Sequence, residues 1–231
     1  HRSAAMFELA CIDCIRGEYT AALEKLDESI GLNKGHTKAV NLKTAILRKI
    51  GCECAKVNAE NSINDDKLDL FAMVEYSHFA DMSDAIAQFA VKSENILDIA
   101  RDYMKAGLFE DALYALDFDK GASPLVNYYR AYILSKLGRD FTEELKVAEG
   151  KDTGYCFPAS LEDIAVLNFA INSADCANAN YYLGCLYYDR FRYVDAKECL
   201  TACVLINKEH KKAWRNLSLY YFDNAHDGKK A

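Results

Sequence analysis

Apolar residues recur along this chain at intervals of three and four, and no segment alternates with a period of two. That pattern predicts helices throughout and no sheet. Ile96, Ile99, Ala100 and Tyr103 share one helical face, and Leu161, Ile164, Leu167, Phe169 and Ile171 lie on another helix. A shorter, degenerate pair is expected over 66–92, with Leu70, Met73, Val74 and Phe79 in its first helix and Ala85, Ile86, Phe89 and Ala90 in its second. Ser160 followed by Asp163 reads as a capping box, and Ser123 before Pro124 as an N-cap with proline at the first helical position. Only two prolines and eleven glycines punctuate 231 residues, which favours long helices joined by short turns.

The helices repeat. Gly17 opens the segment Gly17-Glu18-Tyr19-Thr20-Ala21-Ala22, and the next turn glycine, Gly51, lies 34 residues on. The turn recurs at Ala106-Gly107-Leu108 and at Leu137-Gly138-Arg139. The clearest copy runs Tyr181-Tyr182-Leu183-Gly184-Cys185-Leu186-Tyr187-Tyr188 to Val194-Asp195-Ala196, and Trp214 stands 34 residues after Asn180. Small Gly184 and Ala196 allow two antiparallel helices to approach closely, while Leu183, Tyr187 and Leu200 fill the space beside them.

These residues resemble the tetratricopeptide (TPR) signature, in which Leu-Gly and Tyr mark the first helix and a small residue marks the crossing of the second. The resemblance implies an all-α solenoid of antiparallel helix pairs wound as a right-handed superhelix. One array is expected over 3–224: repeats near 3–36, 37–65, 66–92, 93–123 and 124–149, an extra helix at 159–174, a repeat at 177–210 and a final helix at 211–224. A disordered tail follows at 225–231. The stretch from Tyr155-Cys156-Phe157-Pro158 through Leu161–Leu167, Tyr181–Gly184 and Trp214-Arg215-Asn216-Leu217 is similar to the C-terminal TPR region of a bacterial multi-domain family. That family carries a β-rich domain of unknown function ahead of its repeats and is sometimes found near carbohydrate-handling functions. Since the chain starts at His1 without methionine, it reads as a piece of a longer protein.

Composition narrows the classes. A net charge of −7 argues against tracking nucleic-acid phosphates, which calls for a basic surface. No run approaches the roughly 18 apolar residues of a membrane span. Nine cysteines, an odd number in a chain of this size, fit a reducing compartment and a cytoplasmic location better than a disulfide framework. Cys11 and Cys14 form a CxxC, with Cys52 and Cys54 near the next turn, but Cys11 and Cys14 read as mid-helix. All are taken as small apolar packing residues, with no metal and no cofactor expected. The five histidines form no HExxH, and neither a nucleophile elbow nor a phosphate loop is present, so no catalysis is expected.

What remains is the concave face that first helices line in TPR folds. In this register it holds Lys38, Asn41, Arg48, Arg101, Lys105, Tyr128, Tyr132, Lys136, Tyr181, Tyr188 and Arg215. Acidic residues at matching positions are few: Glu94, Asp189 and Asp223. A basic, tyrosine-bearing groove predicts a scaffold that clasps a protein or peptide, in particular an acidic segment, or docks the missing upstream domain. The bland alternatives are solvated cations and tyrosines filling gaps between repeats. A carbohydrate-related accessory module and a structural or oligomerising spacer stand as further functional readings. The sequence leaves the oligomeric state open.

Overall fold

The structure is a computed structural model that describes residues 1–154 and 156–223. The tail expected at 225–231 lies outside the described residues, as does Tyr155. Fourteen helices and no strand make up the described residues: α1 (Arg2–Arg16), α2 (Tyr19–Leu32), α3 (Thr37–Lys49), α4 (Cys54–Asp65), α5 (Leu70–Tyr76), α6 (Ser83–Phe89), α7 (Ser93–Lys105), α8 (Phe109–Leu116), α9 (Pro124–Lys136), α10 (Thr142–Glu149), α11 (Leu161–Ser173), α12 (Ala177–Asp189), α13 (Tyr193–Ile206) and α14 (Lys211–Asp223). The fold is all-α and built of helix pairs. None of these helices is long and apolar enough to cross a membrane.

The chain forms two compact units, His1–Gly121 and the residues from Ala122 onward. In the first, α1 packs on α2, α3 on α4, α5 on α6 and α7 on α8, and α3 also meets α5 and α7. In the second, α9 pairs with α10 and α12 with α13, α11 packs on α9 and α12, and α14 closes against α13. The degenerate stretch 66–92 is a pair of seven-residue helices, α5 and α6.

Five of the pairs turn in the same way. Gly17, Gly51, Gly107 and Gly138 follow α1, α3, α7 and α9 with φ of 78°, 74°, 72° and 69°. The next N–H then reaches back to a carbonyl five residues earlier, Glu18 to Asp13, Cys52 to Leu47, Leu108 to Tyr103 and Arg139 to Leu134, each at 2.9 Å. This bond satisfies a carbonyl that the helix end leaves open. After α12 the same bond joins Arg192 N–H to the Tyr187 carbonyl at 2.9 Å, but the left-handed position is held by Phe191, at φ 61°.

Local capping agrees with the sequence. The Ser160 hydroxyl accepts from Asp163 N–H at 3.2 Å while Asp163 accepts from Ser160 N–H at 2.8 Å. Ser123 Oγ accepts from Leu125 N–H at 3.1 Å with Pro124 opening α9. At the α12–α13 crossing, a Cβ on Gly184 would come within 2.8 Å of Leu200 Cγ and 3.3 Å of the Ala196 carbonyl. Glycine is therefore what lets these helices touch.

Two measurements test this packing. Gly184→Leu should destabilise the protein by about 2 kcal/mol or more, because the larger side chain must displace Leu200; an unchanged urea midpoint would show that the crossing is loose. Phe191→Gly should act in the opposite sense. The Phe191 side chain is 78% exposed and its backbone is strained, so relief of about 1–2 kcal/mol, less the added freedom of the unfolded chain, leaves a gain of about 0.5–1 kcal/mol. A fall in the midpoint would place the value of Phe191 in side-chain contact instead.

Candidate functional site

One recess lies in the first unit, where the start of α3, the turn into α5 and one face of α7 border a cleft of about 410 Å³. Its chemistry follows from how those elements begin. Asp69 is the N-cap of α5: one carboxylate oxygen accepts from Ala72 N–H at 3.0 Å, and the other accepts from the Asn41 amide at 2.8 Å. Asp66 holds the preceding turn by accepting from Leu68 N–H at 2.9 Å. On α7, Asn95, Asp98 and Asp102 follow one another at helical spacing along the cleft wall. Leu68, Phe71, Phe89 and Ile99 provide an apolar lining between these groups.

Four aspartates thus face one lysine, Lys38, whose ammonium lies 3.0 and 2.8 Å from the two oxygens of Asp102. Burial pushes the Asp102 carboxyl above its ordinary range while Lys38 draws it back. Asn41 is almost fully buried, and its carbonyl oxygen accepts no hydrogen bond among the described residues. A buried acceptor left in that state is costly.

The residues expected to line a basic groove are placed differently from one another. Lys38 and Asn41 line the cleft. Arg48 turns inward, a correction to its expected accessible position. Its guanidinium reaches Glu75 at 3.2 and 3.1 Å and Asp111 at 2.7 Å, and Tyr103 donates to the same Glu75 carboxylate. Arg101 pairs with Asp98 at 2.7 Å, and Lys105 is half-buried. In the second unit Tyr128 and Tyr181 are likewise buried, the former donating to Glu149 at 2.5 Å and the latter packed at 4.7 Å from the His210 ring. Tyr132 is half-buried against Phe169, with the exposed Lys136 ammonium 5.0 Å from its ring; Tyr188 packs on Tyr193; Arg215 is exposed. Both buried rings fill the gap between successive helices, and the Tyr128 hydroxyl is carried to the half-buried Glu149 carboxylate.

The sequence reading missed the carboxylates. Asp98 and Asp102 flank the Arg101 and Lys105 that it singled out, one helical turn apart on α7, and that spacing was the available signal. Asp66 and Asp69 sit in a turn, outside the helical register from which the groove was read. Glu149 was missed for a similar reason: it ends α10 and accepts from Tyr128 and from Asn178 N–H.

The cysteines also divide. Cys11 and Cys14 are buried in α1, and burial pushes their thiols up to about 12 and about 11. Cys52 and Cys54, expected to be free packing thiols, are instead joined to each other. Among the described residues no three of His, Cys, Asp and Glu group closely enough to hold a metal ion.

No family model matches the chain, and no curated protein matches it. Solved structures similar to it include a thermophilic TPR protein from Thermus thermophilus, at 15% identity and a TM-score of 0.32, covering 95% of this chain and 99% of that one. A tetratricopeptide repeat protein from Parabacteroides merdae is similar at 11% identity and a TM-score of 0.32, covering 95% and 98%.

Behind Arg48, the His78 ring stacks on Tyr114 at 4.1 Å, and its Nε2 is buried without a hydrogen-bond partner among the described residues. Burial first, and the Arg48 charge second, push the imidazole down to about 4. The unfolded chain takes up this proton below the ordinary value near 6.5, whereas the folded unit resists it until about pH 4. The contribution is therefore complete above pH 6.5 and lost as pH falls from there to 4, on the order of 2–3 kcal/mol. His78→Phe, which keeps the stack, should flatten the fall in urea midpoint across that window relative to wild type. Parallel pH profiles for the two proteins would mean that the ring is not held neutral.

Proposed function

We propose that this chain is a protein-interaction module without catalytic activity, and that the cleft of the first unit receives a cationic side chain, arginine or lysine, from an extended segment of a partner. The observation that carries this reading is the lining of that cleft: four aspartates against a single lysine that is already paired. A lysine or arginine has a long aliphatic stem and a charged head. The stem suits Leu68, Phe71 and Ile99, and the head suits Asp66 and the outer oxygen of Asp98, both exposed carboxylates, the latter already holding Arg101 through its other oxygen.

The sequence pattern pointed to an acidic partner. Three of the cations behind that expectation, Lys38, Arg48 and Arg101, face carboxylates of their own chain. Attracting an acidic segment there requires breaking those pairs, whereas a cation adds to the existing field. This supports the opposite charge for the partner in this unit.

The test compares two synthetic peptides of equal length, one arginine-rich and one glutamate-rich, by fluorescence anisotropy against the wild type and against a protein carrying Asp66→Lys and Asp98→Lys. The arginine peptide should bind the wild type, weaken with added salt, and lose more than about tenfold in affinity in the double variant, since two charge reversals turn attraction at the cleft mouth into repulsion. Circular dichroism and the urea midpoint are read on the same proteins, so that loss of the Asp66 turn bond or of the Asp98–Arg101 pair is distinguished from loss of peptide binding. Preferential binding of the glutamate peptide would restore the acidic-partner reading, and equal, salt-insensitive affinities would remove charge recognition from the cleft.

A further inference from the structure

One cysteine pair stands apart from the rest. Cys52 and Cys54 are bonded across a single residue, with Cα atoms 5.3 Å apart, inside the span of roughly 4.4–6.8 Å that a disulfide accepts. The other seven cysteines carry free thiols that are buried or half-buried. The pair occupies the turn between α3 and α4, an accessible place: Cys54 is exposed at the first position of α4, and Cys52 is half-buried. The turn is already closed without the sulfurs. Gly51 supplies the left-handed backbone, Cys52 N–H donates to the Leu47 carbonyl at 2.9 Å, and Ala55 N–H donates to the Cys52 carbonyl at 3.1 Å. A link across so few residues removes little freedom from the unfolded chain, because that stabilisation grows with loop length. Structural bracing therefore does not account for it.

We infer that Cys52 and Cys54 form a reversible two-electron thiol–disulfide site that exchanges with small disulfides of the glutathione class. The attacking group is the thiolate of Cys54, which is exposed in the first turn of α4. That thiolate attacks one sulfur of the small disulfide, breaking its S–S bond and releasing one small thiolate. The Cys52 thiolate then attacks the Cys54 sulfur of the mixed disulfide and releases the second. Two protein thiols and one small disulfide become one protein disulfide and two small thiols, so the two electrons and two protons lost by the protein are carried by the small thiols. The bonds that hold the turn involve backbone atoms alone, so the exchange leaves α3 and α4 in place.

The site is separate from the cleft of the first unit, and its failure would leave the interaction reading standing. The test uses the full chain, equilibrated without oxygen at a series of ratios of reduced to oxidised glutathione, quenched with acid and alkylated. Trypsin cleavage after Lys49 and Lys56 isolates both cysteines in one peptide, 50–56. That peptide should pass in a single transition from doubly alkylated to unalkylated and lighter by two hydrogens, with the circular dichroism of the protein unchanged. Cys52→Ser should remove the transition and leave a glutathione adduct on Cys54, the expected product when the resolving thiol is missing. A peptide alkylated twice at every ratio would overturn the inference. So would a disulfide that no ratio reduces, or one that links either cysteine to a different residue.

Discussion

A carboxylate taken wholly out of water must be matched by donors of its own chain, and in the first unit Glu75 sets that requirement. It has no solvent exposure, and burial pushes its carboxyl above the ordinary range against the pull of Arg48 and Tyr103. Arg48 comes from α3, Tyr103 from α7, and the second carboxylate on Arg48, Asp111, from α8. Four helices thus meet on one acid. Such a cluster is weak evidence of stability, since apolar residues of the same volume would serve at least as well. It does tie geometry together, because the groups that satisfy Glu75 and Arg48 come from separate helices.

A second constraint recurs in both units. A helix pair closed by so short a turn needs a left-handed residue, and glycine reaches that region without the Cβ clash that other residues meet. The equivalent bonds after α1, α3, α7, α9 and α12 show one solution used repeatedly, with Phe191 tolerating the strain in the last case. Close approach is managed locally as well, through Gly184 against Leu200 and Ala196.

The helical register was legible because its signals are local. Helices α1, α3, α7, α9, α12 and α14 start at Arg2, Thr37, Ser93, Pro124, Ala177 and Lys211, and caps, turn glycines and apolar period all act within a few positions of such starts. The direction of long polar side chains was not legible. Arg48 and Tyr128 stand on first helices, as the period requires, yet whether a side chain points to solvent or to the next helix depends on an acid far away in sequence. Glu75 lies 27 residues beyond Arg48, and Glu149 lies 21 beyond Tyr128. A reading that tallies cations on one face without locating their partners leaves out the carboxylates that Lys38, Arg48 and Arg101 meet in the first unit.

The cleft and the ion cluster are joined through α5. This helix has seven residues, too few to hold its own shape in isolation. Its N-cap, Asp69, is tied to Asn41 of α3 at the cleft, while Glu75 near its other end is tied to Arg48 of the same α3. Between them Phe71 lines the cleft on one side and meets the Tyr103 ring edge-on at 4.8 Å. The short helix is thereby fixed at both ends to one neighbour and along its side to another. In the proposed reading, an aspartate at the end of a helix so held would not have to be ordered when a ligand arrives, which lowers the entropic cost of recognition. The buried acid and the exposed ones thus belong to one arrangement. Glu75 and its partners hold α5 in place, and Asp69 at the start of α5 keeps its position in the cleft as a result.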